Sequence, residues 1–140
     1  MTRAELESVE PDASRAQDFI AQSRRFLEDA ERDTTNPESA VVLYWNACIA
    51  AMDALLAVEG LRIGSGEGSH AVRVEAARRI LGAGFDDLCD RLDEWRRERH
   101  DVSYAAITPG AADVAALQTD TRDVLAATEG HVSRRRNQEQ

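Results

Sequence analysis

Aromatic residues are scarce in this chain of 140 residues: two Trp, two Tyr and three Phe, 5% of the whole. Glycine and proline are also few, at eight and three. They fall between periodic segments rather than inside them, and the composition is rich in Ala and Leu. That combination favours an all-helical protein. There are two cysteines, Cys48 and Cys89, each inside an apolar helical stretch. They read as small buried hydrophobes, which excludes a disulfide framework. No Cys/His spacing fits zinc, so no metal is expected. A long uninterrupted apolar run is missing too. The longest, within 40–58, is broken by Asn46 and Asp53, so no membrane crossing is expected. The N-terminal MTRAELESVEPDA is acidic and has no apolar core. No secretory leader is expected, and the expected address is the cytoplasm.

Positive charge is in deficit, with a formal net charge of −9. General adhesion to nucleic acid or to an anionic membrane is disfavoured. Local basic patches survive this balance at Arg96, Arg97 and Arg99, and in the run Arg134, Arg135, Arg136. The length fits one domain with a real core. Residues 1–11 are expected to be frayed and flexible, residues 12–130 to form the single helical domain, and residues 131–140 to be a loose polar and basic tail.

Five helices are legible. The first follows Asp12, with Ala16, Phe19, Ile20, Phe26, Leu27 and Ala30 at one-faced spacing. Asn36-Pro37-Glu38 is a strong start signal: a capping side chain, proline at the first helical position and an acid in the first turn. The helix it opens, to about residue 59, is apolar almost all round, which marks it as central. GSGEGS, 64–69, reads as a linker. It lacks the Lys-Ser/Thr and the preceding strand of a phosphate loop, so no cofactor is expected. A third helix spans about 70–82 and a fourth about 85–105. A fifth starts near Thr108-Pro109. Short connections between them imply an up-and-down bundle of four or five helices.

The fourth helix carries the functional signal. Phe85, Leu88, Leu92, Trp95, Arg99 and Val102 step by three and four along one seam. Arg99 stands where Leu is expected, and a guanidinium facing a core is costly unless it is paired or exits through its stem. Arg96, His100 and Tyr104 form a second line one turn apart. On the central helix, Asn46 and Asp53 share a face and are candidates to answer Arg99. Against this stands the plain reading of a wet helix end, where arginines favour the dipole and His and Tyr sit as rim residues.

Three stretches together resemble the HEPN superfamily of small helical-bundle domains: the Ala-rich SAVVLYWNACIAAMDALL, the turn and helix GLRIGSGEGSHAVRVEAARRIL with His70, and the arginine-centred LDEWRRERHDVSYA. They cover about residues 14–128. The resemblance implies a homodimer whose functional segments face each other. It also implies either a metal-independent ribonuclease or a non-catalytic binding or accessory module, in an RNA-, nucleotide- or toxin–antitoxin-linked system. A nucleotidyltransferase is one partner protein the resemblance implies. Active relatives carry an arginine, four to six residues, then histidine. Here Arg99 is followed after four residues by Tyr104. Tyrosine, with a reference pKa of about 10, is a poor base at neutral pH, whereas histidine titrates near it. The expectation is therefore a non-catalytic module, with Arg96, Asp101, Asn46 and Asp53 in a ligand- or RNA-binding site. The alternatives are a ribonuclease using Arg99, His100 and Tyr104, and a purely structural bundle.

Overall fold

The architecture comes from a computed structural model, which describes residues 2–32, 34–105 and 109–138, with 99–105 described by backbone alone. Among these residues the order is β1 (Leu6–Ser8), α1 (Ala13–Ala30), α2 (Pro37–Val58), β2 (Leu61–Ile63), α3 (Ser69–Leu81), a 3-10 turn (Ala83–Phe85), α4 (Asp86–Ala105) and α5 (Ala111–Gln138). Five helices pack on one another beside a two-stranded ribbon, an all-α bundle as the periodicity predicts.

The Asn36 start signal acts as read and Asp12 caps α1 as well, whereas Ser69, a candidate cap for the third helix, lies inside α3 behind an uncapped Gly68. The Asp12 carboxylate accepts from the Arg15 N–H at 2.9 Å, and Asn36 Oδ1 accepts from the Ser39 N–H at 2.8 Å. Each satisfies a backbone donor that the helix itself leaves unpaired. With Pro37 leading, α2 enters the bundle and buries 14 of its 22 residues. It is the one described helix long and apolar enough to cross a membrane, and most of that apolar surface is covered by protein.

Alanines along α2 let neighbouring backbones come close. Ser23 of α1 donates to the Ala47 carbonyl at 2.7 Å, and Thr128 of α5 to the Ala51 carbonyl at 3.3 Å. Thr121 donates to the Leu117 carbonyl of its own helix at 2.7 Å and lies 3.3 Å from Cys48 Sγ. These buried hydroxyls are all partnered, as burial demands. The surrounding core is apolar, with Ile20, Trp45, Met52, Leu55, Leu92 and Val124 nearly inaccessible.

Both ends of the chain depart from expectation. Residues 1–11 are not simply frayed: β1 pairs antiparallel with β2, Leu6 opposite Ile63 and Ser8 opposite Leu61. Ala4 is buried and hydrogen-bonds through its N–H to the Glu67 carbonyl at 2.7 Å. Strands of three residues are too short to show a period of two, so the sequence hides them. Gly60 makes the return tight. Its φ is +73°, and a Cβ there would stand 2.8 Å from the Val9 carbonyl oxygen. At the other end α5 continues through Gly130 to Gln138, with Val132 fully buried. His131 Nε2 lies 3.3 Å and Arg135 Nε 2.6 Å from Glu59 Oε2. Glu59 closes α2, where the helix dipole disfavours an acid, so these two side chains suit that position.

Candidate functional site

The arginine-centred segment occupies the last turns of α4. Asp93 organises its beginning: Oδ1 accepts from Arg96 Nε and Oδ2 pairs with Arg97, both at 2.9 Å. Arg96 is half-buried and Arg97 exposed, and both guanidiniums close on the same carboxylate. Arg99, His100, Asp101 and Tyr104 belong to the same helix. Their side chains lie outside the described residues.

The two α2 candidates are better defined. Asn46 is half-buried. Asp53, read as a candidate to answer Arg99, is engaged by a different arginine: Arg73 Nε of α3 donates to Asp53 Oδ1 at 2.8 Å. The side chains are 12% and 23% exposed, so solvent screens this pair less than a surface bridge. Arg73 also places NH1 2.7 Å from His70 Nδ1. A guanidinium only donates, so Nδ1 accepts and the ring proton sits on Nε2. The His70 ring meets Trp45 edge to face, with centroids 5.9 Å apart. One cluster thus joins α2 to the start of α3. Arg73 lies near the inward line of Val74 and Ala77, and that was the available signal for it.

A second buried polar cluster was missed. Asp120 of α5 is 4% exposed. Its Oδ1 accepts from Arg91 Nε and its Oδ2 from Trp95 Nε1, each at 2.8 Å. Both carboxylate oxygens are satisfied, which is what makes the burial tolerable. The signal was present: an acid between Leu117 and Val124 on the inward face of α5, the same anomaly that singled out Arg99 on α4. Trp95 also packs against the core. The α4–α5 contact is therefore locked where the arginine-centred segment begins.

The thiols behave as the sequence predicts. Both cysteines are free and buried. Burial pushes the Cys48 thiol up to about 12, against the opposing hydrogen bond from Thr121. Burial likewise raises Cys89, with Arg78 pulling the other way. Neither is a nucleophile at neutral pH. Burial, then the Glu31 carboxylate, raises the Tyr44 phenol as well. GSGEGS does follow a strand, β2, but that strand sits in a hairpin-like ribbon and no Lys follows the glycines. Among the described residues, no three His, Cys, Asp or Glu side chains gather as metal ligands.

Comparison of the chain with family models, with curated proteins and with solved structures gave no match.

Proposed function

We propose that this chain is a HEPN-like module that binds rather than cuts, working as a homodimer in the cytoplasm within an RNA-, nucleotide- or toxin–antitoxin-linked system. The observation that carries the reading is the motif on the last turns of α4: Arg99, four residues, then Tyr104 in the place where active relatives have histidine. Cleavage of RNA without metal needs a base for the 2′-hydroxyl proton and an acid for the leaving oxygen. Histidine near its neutral pKa serves for either, while tyrosine donates a hydrogen bond or stabilises charge but holds its proton.

The helical bundle supports the reading at the level of fold, which by itself does not assign function. Val42 supports the dimer: it is 41% exposed on a helix that is otherwise largely buried, and a second copy would cover it. A nucleotidyltransferase is the partner protein this reading favours. The competing reading, a ribonuclease with an altered motif, draws on His100 next to Arg99.

Incubating the purified protein with mixed RNA in EDTA, alongside light scattering for its mass, separates the two. Intact RNA and a dimeric mass are expected. Cleavage that disappears in Arg99→Ala, with the helical spectrum retained, would overturn the binding-module reading in favour of the enzyme.

A further inference from the structure

A cleft of about 390 Å3 lies between β2, the segment that leads from β1 into α1, the first turns of α1, and helices α2 and α3. Its size suits a small molecule. Phe19, Leu56 and Leu61 supply apolar lining, and the Asp53–Arg73 pair lines it as well. Six charged side chains border it, and four are already engaged. Asp53 and Arg73 answer each other, Arg62 is held by Glu7 at 2.8 Å, and Asp12 caps α1.

Two charged side chains remain. Arg15 lays its guanidinium over the Phe19 ring, 5.4 Å from the centroid. It has no carboxylate partner among the described residues, and Glu10 has no cation. The stacking favours this placement of the Arg15 fork, which lowers the ordering cost of binding. One cation and one anion without ionic partners among the described residues therefore share a cleft with an apolar lining.

We infer that this cleft binds a small zwitterion with an apolar body, the chemistry of a free aliphatic amino acid. The carboxylate meets the Arg15 fork, the ammonium meets Glu10, and the side chain lies against Phe19, Leu56 and Leu61. A purely anionic amphiphile would bring its charge to Arg15 and leave Glu10 facing a desolvated apolar chain. A purely cationic one would do the same to Arg15. Both charges are on the rim, where pairs are screened, so the apolar contact holds the ligand and the two ends select it. This site is built without the last turns of α4, so it stands or falls independently of the function proposed above.

The test is an analogue-and-variant cycle read from backbone amide shifts in the full chain. The probes are L-leucine, 4-methylpentanoate, which lacks the ammonium, and 3-methylbutylamine, which lacks the carboxylate. Leucine is expected to bind with a dissociation constant around millimolar. Each truncated analogue should bind about tenfold more weakly, with shifts centred on Val9, Phe19 and Leu61. In Glu10→Gln the gap between leucine and 4-methylpentanoate should close. In Arg15→Gln the gap between leucine and 3-methylbutylamine should close. Both positions are exposed, and an unchanged amide spectrum elsewhere confirms the fold. Absence of leucine-induced shifts in the wild type overturns the proposal. So does binding of leucine and 4-methylpentanoate with equal affinity, or gaps that persist in both variants.

Discussion

Replacing Asp120 by alanine removes the acceptor for two donors at once. Arg91 and Trp95 each lose a hydrogen bond of 2.8 Å. Their fates differ. The Arg91 side chain is 46% exposed, so its freed guanidinium turns to water and contributes little to the loss. The Trp95 indole is half-buried against the core, so its N–H loses its partner in a partly desolvated place. An unsatisfied buried donor costs about 1–3 kcal/mol. A fully buried ion pair broken at one end costs about 3–5 kcal/mol, which the exposure of Arg91 discounts heavily. The sum is about 2–3 kcal/mol. Asp120→Asn keeps one acceptor for Trp95 and should cost about 1 kcal/mol. Urea denaturation at a fixed protein concentration is the assay, since dimerisation would make stability depend on that concentration. The midpoint should fall with an unchanged slope. A loss under about 0.5 kcal/mol for Asp120→Ala, the range of ordinary surface substitutions, would refute the reasoning.

Four further outcomes follow from the same contacts. Gly60→Ala forces a Cβ into left-handed backbone and against the Val9 carbonyl; a loss of about 1–3 kcal/mol is expected, and a neutral result would mean the ribbon does not hold this turn. Cys48 and Cys89 should resist a thiol reagent at pH 8 in the folded chain and react on unfolding, since burial keeps both protonated. With the Cys48 pKa raised to about 12, the folded state holds a proton that the unfolded thiol, with a pKa of about 8.5, gives up. Stability should therefore fall as pH rises above that lower value, and Cys48→Ala should flatten the fall. Asp53→Ala leaves Arg73 half-buried beside His70 and should cost about 1–3 kcal/mol, read by the same urea midpoints; full tolerance would show that the pair contributes nothing.

The helices were readable because their burial follows a period that residues display. Asn36-Pro37 marked the start of α2, and its unbroken apolar circumference marked it as central. β1 and β2 were not readable, because three residues cannot establish an alternation and their pairing joins segments more than fifty residues apart. The end of α5 was hidden by its polar composition; its order comes from Val132 and from side chains that meet Glu59 on another helix. For polar sites, the useful rule was a charged residue on an apolar face. It picked out Asp53 and Arg99, and applied to α5 it would have found Asp120. What it does not give is the partner. Asp53 finds Arg73 because α3 crosses α2 there, a fact of packing that no single helix records.

The proposed function rests on Arg99 of α4 meeting a ligand rather than water. Titration of a fluorescein-labelled single-stranded RNA, followed by anisotropy at low salt, tests it most directly in wild type and Arg99→Ala. Saturable binding is expected, about tenfold weaker in the variant at an unchanged melting temperature. Equal binding by both proteins, no binding by the wild type, or a variant that loses only thermal stability would contradict the claim.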